Sequence, residues 1–233
     1  MLNVTGLSVS YGAIRALDGV SLEIRTGEVV LLAGSNGAGK TTLIRAISGL
    51  LEPSAGDIRW NGESITGLSA HRIAAKGICH VPEGRRIWPS LTVEEHLQLA
   101  WHGRSATEQH RARERISLLF PRLAERWRQR AGSMSGGEQQ MLAIARGLAA
   151  NPSLLMIDEL SLGLAPAIIT QLFLTLKRVN EEGVTLLLVE QALSQALRIV
   201  DRGYVLETGQ LVIAGTADEL RHSEVVRKAY LSV

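Results

Sequence analysis

The chain has 233 residues, a formal net charge of +2, 45% hydrophobic residues and 21% charged residues. That length supports a substantial buried core, the mixture is that of a globular rather than a disordered chain, and a charge so near neutrality supplies no nucleic-acid footprint. The single cysteine, Cys79, excludes an intrachain disulfide and a cysteine-based metal site.

Met1-Leu2-Asn3-Val4 lacks the basic and then apolar pattern of a signal peptide, and no window approaches the ~18 apolar residues that span a bilayer. The expectation is a cytoplasmic chain whose membrane role comes through a partner. No repeat or Gly/Ser linker interrupts it, so 1–233 reads as one unit. Residues 2–11 and 21–25 alternate as strands, and Val29-Val30-Leu31-Leu32-Ala33 is a buried run. A helix is predicted from near Gly39, with Leu43, Ile44 and Ile47 on its inner face. Residues 57–60 and 63–65 flank Asn61-Gly62, a favoured tight-hairpin pair. Cys79, within the apolar run Gly77-Ile78-Cys79-His80-Val81, reads as a buried, inert thiol.

From about 84 to 150 the chain turns helical and reads as an inserted subdomain. Thr92-Val93-Glu94-Glu95 is a capping box, and helical spacing resumes over 107–119 and after Gly137. Arg122, Arg126, Arg128 and Arg130, interleaved with Glu125, read as a solvated helix face. Buried strands follow at 154–157 and 184–189, then a hairpin near 205–213, and helices after Thr216, which opens a capping box with Glu219. Strands alternating with helices predict an α/β fold with a mostly parallel sheet and an antiparallel β portion.

Gly34-Ser35-Asn36-Gly37-Ala38-Gly39-Lys40-Thr41 fits G-x-x-x-x-G-K-[ST], between a buried strand and an amphipathic helix as the mechanism requires. Its glycines let successive N–H groups face phosphates at the positive end of a helix, with Lys40 reaching the outer phosphates and the Thr41 hydroxyl available to Mg²⁺. The strand at 154–157 runs into Asp158 and Glu159, where a P-loop protein holds Mg²⁺ through the first acid; the second then lies where a carboxylate orients water. Ser135-Gly136-Gly137-Glu138-Gln139 precedes a helix with Met141, Ile144, Ala145 and Leu148 at helical spacing, a second anion site at a helix N-terminus.

At these three motifs the chain resembles the ABC ATPase family, whose signature is L-S-G-G-x-Q; Met134 replaces the leading leucine. The resemblance spans essentially the whole chain and implies a P-loop (RecA-like) core, hydrolysis of ATP with Mg²⁺, and a head-to-tail dimer. In such a dimer Ser135 to Gln139 complete the nucleotide site of the opposite subunit. By the same resemblance Tyr11 stacks on adenine, Thr42 joins the phosphate loop, Glu83 occupies the loop that usually carries glutamine, and Gln191 occupies the switch position that usually carries histidine. Glu83 and Gln191 are implied sensors of the γ-phosphate, with Glu83 also near Mg²⁺ and Glu159 as base. Leu160 stands where proline is usual.

Pro82-Glu83-Gly84-Arg85-Arg86, Ser161-Leu162-Gly163-Leu164-Ala165-Pro166 and Val189-Glu190-Gln191 together look like the F-type ATPase of branched-chain amino-acid importers; Ala192 departs from its usual asparagine. Urea, amides or another small polar solute are alternative cargoes, and a non-transport ABC ATPase is a further rival. The implied partners are integral-membrane permease subunits, a second ATPase chain, the same or related, and indirectly a solute-binding protein, with no nucleic acid. The implied location is the cytoplasmic side of the membrane.

Overall fold

A computed structural model describes residues 1–101, 103–191, 193–223 and 226, so Ala192 and, apart from Val226, the expected helix beyond 223 lie outside the described residues. Two sheets form the framework. The first joins β1 (Leu2–Tyr11), β2 (Ile14–Ile24), β4 (Ala55–Trp60) and β5 (Glu63–Ser64) in the antiparallel order β2-β1-β4-β5. The second has the order β10-β9-β3-β8-β7-β6, from β3 (Val29–Ala33), β6 (Ile78–Val81), β7 (Leu154–Asp158), β8 (Thr185–Glu190), β9 (Arg202–Glu207) and β10 (Gln210–Thr216). It is parallel throughout except at β10, which returns antiparallel to β9.

Every residue of β3, β7 and β8 is buried, as expected of parallel strands covered on both faces. Their alternation sorts them into two cores. Leu31, Leu155, Ile157, Leu186 and Leu188 face one side, together with helices α3 (Val93–Trp101), α6 (Gly136–Ala149) and α7 (Pro166–Glu181). Val30, Leu32, Met156, Leu187 and Val189 face the other, with α1 (Lys40–Ile47), α2 (Ala70–Ala75) and the antiparallel sheet. Full burial of each Leu, Ile or Met is worth roughly 1.5–3 kcal/mol, so these two layers hold the strand ends that carry the site.

Between the neighbouring strands β6 and β7 the chain runs through α3, α4 (Ala106–Leu119), α5 (Pro121–Ala124), a 3₁₀ turn (Ala131–Ser133) and α6. Thr92 and Glu95 close their expected capping box, and Thr216 and Glu219 cap α9 (Ala217–His222) in the same way. Two further boxes, Ser105–Glu108 and Ser135–Glu138, start α4 and α6. The chain also forms α7 and the short α8 (Leu193–Ala196).

The arginine cluster departs from the sequence reading. Only Arg122 lies on a helix, exposed on α5, because α5 ends at Ala124 and the backbone folds back onto the start of α3. There the Glu94 N–H donates to the Trp127 carbonyl (3.0 Å) and the Val93 N–H to that of Gln129 (3.1 Å). Burying Leu123 and half-burying Trp127 wins over helix continuation, and Arg126 turns to the Glu138 carboxylate, 3.0 Å away.

Candidate functional site

The C-terminal ends of β3, β8 and β7 lie side by side, with Ala33 paired to Glu190 and Val189 paired to Asp158. The segments leaving those ends, 34–39, 159–165 and Gln191, therefore converge on one edge, where open α/β sheets bind ligands. A cavity of about 510 Å³ opens there. It is lined by Asn36, Gly37, Gly39, Lys40, Thr41 and Thr42 from the loop and α1, by Tyr11 from β1, and by Glu83, Glu159 and Gln191. The structure thus brings together ten of the residues singled out from sequence. Gly34 and Ala38 are buried behind the loop, and Ser35 is exposed outside this cavity.

Lys40 is 4% exposed, and its Nζ donates to the carbonyls of Gly34 (2.7 Å) and Ser35 (2.9 Å). Glu159 stands 3.9 Å from the same nitrogen. Burial lowers the Lys40 pKa, against the opposing charges of Glu159 and Asp158. Asp158 is 1% exposed, and neither carboxylate oxygen has a hydrogen-bond partner. Burial holds its pKa above the ordinary value, against the lowering effect of the Thr41 hydroxyl; the charges of Glu159 and Glu83 add to the rise and Lys40 opposes it. A buried carboxylate without partners is costly. This one, with the Thr41 hydroxyl close by on α1, makes a set of oxygens suited to a hard divalent cation.

Glu159 takes a left-handed backbone conformation (φ 49), unusual outside glycine, and its N–H donates to the Val189 carbonyl at 2.9 Å. The turn aims the residue away from the strand direction and into the cavity. The Tyr11 ring is 45% exposed at the cavity mouth, with its hydroxyl 3.4 Å from Thr42 Oγ1. Both Glu83 and Gln191 are exposed.

The signature segment is not part of this cavity. The Ser135 hydroxyl accepts from the Glu138 N–H (3.3 Å), and the Glu138 carboxylate accepts from the Ser135 N–H (2.9 Å). Against the cost of burial, those bonds and the Arg126 charge hold Glu138 below the usual carboxylate range. Gln139 donates to the carbonyls of Ala131 (3.1 Å) and Met134 (3.2 Å) and accepts from Arg85 (3.0 Å), so its amide braces the loop. Gln139 lines a neighbouring cavity with Glu159 and Leu162, whereas Ser135 to Glu138 line neither that cavity nor the one at the phosphate loop.

Two residues at the site escaped the sequence reading. Arg146, from the last turn of α6, donates to the carbonyls of Arg86 (2.9 Å) and Arg85 (3.4 Å), both in left-handed conformations, and stacks 5.2 Å over the Trp88 ring. Glu190 is 1% exposed and bonded to Ser161 through both oxygens. A charged residue within an apolar helical or strand pattern was the available signal for each.

A parallel sheet with a phosphate loop at one strand end and an acid pair at another defines a P-loop nucleoside-triphosphatase. The family model described as "ABC transporter" matches residues 17–161, more than half of the chain, which belongs to this family of ATP-hydrolysing cassettes. The chain is 48% identical to the high-affinity branched-chain amino acid transport ATP-binding protein BraG of Pseudomonas aeruginosa, over 99% of each. It is 34% identical to BraF of the same organism, a protein of the same description, over 99% of this chain and 97% of BraF. Among solved structures it matches a dimeric, post-hydrolysis ATP-binding cassette bound to ADP and Pi, with a TM-score of 0.79 and 27% identity, over 93% of this chain and 99% of that one.

Proposed function

We propose that this chain is the ATPase subunit of an importer of branched-chain amino acids. One observation carries the mechanism: Lys40, Thr41 and Glu159 line a single cavity, with the buried carboxylate of Asp158 ending the strand that leads into Glu159. The likeness to BraG along 99% of both chains supports the cargo.

In this reading Gly34 to Thr42 cradle the phosphates of ATP through backbone N–H groups. Lys40 exchanges the carbonyls of Gly34 and Ser35 for phosphate oxygens, and Tyr11 stacks on adenine. Thr41 and Asp158 hold Mg²⁺, with Glu83 beside them; the ion supplies charge neutralisation at the phosphates. Glu159 orients a water and accepts its proton as that oxygen attacks the γ-phosphorus, and the bond to the bridging oxygen breaks to give ADP and phosphate. Gln191 donates an amide N–H to the γ-phosphate.

Ser135 to Gln139 complete the site of a second ATPase chain, which the place of Ser135 to Glu138 outside the phosphate-loop cavity favours. The dimeric cassette holding ADP and Pi supports such an assembly. BraG and BraF, two branched-chain transport ATP-binding proteins of one organism, favour a related chain as the second subunit.

The segment 84–150 is an inserted helical subdomain that docks on permease subunits, themselves fed by a solute-binding protein. Among the described residues no helix is long and apolar enough to cross a membrane, which fits a peripheral place on its cytoplasmic face. The test is Glu159→Gln, expected to bind Mg-ATP, release no phosphate and shift to a dimer on size-exclusion chromatography. A variant that stays monomeric with Mg-ATP, even with the related ATPase chain added, refutes the shared site.

A further inference from the structure

We propose that Glu190 is a positioning residue for hydrolysis, clasping the loop after Glu159 to the strand that ends in Gln191. The proposal rests on the assignment of Glu159 as the group that orients water.

The pairing of β7 with β8 ends at Asp158 and Val189. Past that point a single backbone bond, Glu159 N–H to the Val189 carbonyl, links the two chains, and Glu159 is held in a left-handed conformation that a non-glycine residue keeps only under constraint. Leu160 follows where proline is usual, held by a side chain buried in the core rather than by a ring-restricted backbone. A further constraint comes one residue later. Glu190 Oε1 accepts from the Ser161 N–H at 3.0 Å, and Oε2 pairs with the Ser161 hydroxyl at 2.7 Å. The turn carrying Glu159 is thus tied on both sides to β8, by a carbonyl before Leu160 and by a carboxyl after it.

Burying this carboxyl is expensive. Glu190 is 1% exposed, burial pushes its pKa up to about 7 against the Ser161 hydrogen bonds, and the Glu159 charge pushes the same way. A group kept at that cost, with both oxygens bonded to Ser161 in the loop after Glu159, serves geometry rather than stability. Gln191, the next residue, lines the nucleotide cavity. Contact between Gln191 and the γ-phosphate therefore reaches the Glu159 turn through one side chain.

The experiment compares steady-state ATPase kinetics of Glu190→Ala, Glu190→Gln, Ser161→Ala and the Glu190→Ala/Ser161→Ala double variant, with Glu159→Gln alongside. Misplacing the water-orienting group should cut kcat of Glu190→Ala about tenfold with KM within about twofold. A glutamine amide can accept from the Ser161 N–H and donate to its hydroxyl, so Glu190→Gln should keep kcat within about twofold of wild type. Ser161→Ala, at a half-buried position, should lose about threefold, and the double variant should fall no further than Glu190→Ala.

A kcat of Glu190→Ala within about twofold of wild type, a Glu190→Gln as slow as Glu190→Ala, or multiplicative single effects overturn the clasp. If Glu190→Ala does not fold, Ser161→Ala decides: a kcat loss of about threefold at unchanged KM supports the clasp, and a smaller loss overturns it. Glu159→Gln separates the two readings. Wild-type turnover there removes the base assignment and the clasp with it, whereas its loss beside an unaffected Glu190→Ala removes the clasp alone.

Discussion

Gly39→Ala tests whether the phosphate loop owes its shape to the absence of a side chain. Gly39 precedes α1 at φ 107, ψ 3, and a Cβ built there would sit 2.7 Å from the Ala16 carbonyl oxygen and 2.8 Å from Leu17 Cδ2. Gly37, two residues earlier, also has a positive φ (80), but a Cβ there meets nothing within 4 Å. Backbone strain is common to both changes at about 1–3 kcal/mol, and only Gly39→Ala adds overpacking of about 1–3 kcal/mol against a carbonyl that cannot rotate away. Both regain about 0.4–1 kcal/mol from a less flexible unfolded chain. Gly39→Ala should therefore be about 2 kcal/mol less stable than Gly37→Ala, equivalent to roughly 4–8 °C in Tm for a chain of this size. Urea unfolding of both variants without nucleotide is the assay, with Mg-ATP affinity of the folded proteins measured beside it. Equal stabilities would show that β1, β2 and the loop yield freely, and the argument from close approach would fail.

Glu190 makes stability depend on pH. Its folded pKa is raised from 4.5 to about 7, so the stability linked to its protonation is fully present below about pH 4.5 and lost as pH rises through about 7, a change of about 3 kcal/mol. Urea midpoints of wild type should accordingly fall against those of Glu190→Gln between pH 5 and 8; parallel profiles would contradict the burial argument. Cys79 packs beside Gly147, and burial pushes its thiol up to about 11, so a thiol reagent at about pH 8 should label the native chain at least ~100-fold more slowly than the urea-unfolded chain. Trp88 is 51% exposed while Ile87 packs on the core. Trp88→Ala should cut transport by the assembled complex more than the basal ATPase of the isolated chain, and equal losses with a lower Tm would make Trp88 a packing residue instead.

What a sequence displays best is what depends on neighbours along the chain. The phosphate loop, the acid pair and the signature are each a few consecutive residues whose chemistry comes from backbone N–H groups and adjacent side chains, so residue types and spacing were enough to single them out. Strands β3, β7 and β8 were legible for a similar reason, since both faces of a parallel strand are covered and the apolar run has no gaps. The arginine cluster was misread beyond Arg122 because helical spacing says nothing of the competing bonds from Val93 and Glu94 that draw residues 127–129 back to α3.

Tertiary structure alone decided which of these pieces meet. The order β3-β8-β7 sets Lys40, Gln191 and Glu159 around one cavity, although they are far apart along the chain, and leaves Ser135 to Glu138 outside it. Nothing local marks Glu190 as the partner of Ser161, 29 residues earlier, or Arg146 as the support of the Arg85–Arg86 turn, 60 residues before it. Such contacts arise from strand register and helix packing, which are set by the sum of many weak burial terms over the whole chain. No short stretch of residues contains that sum.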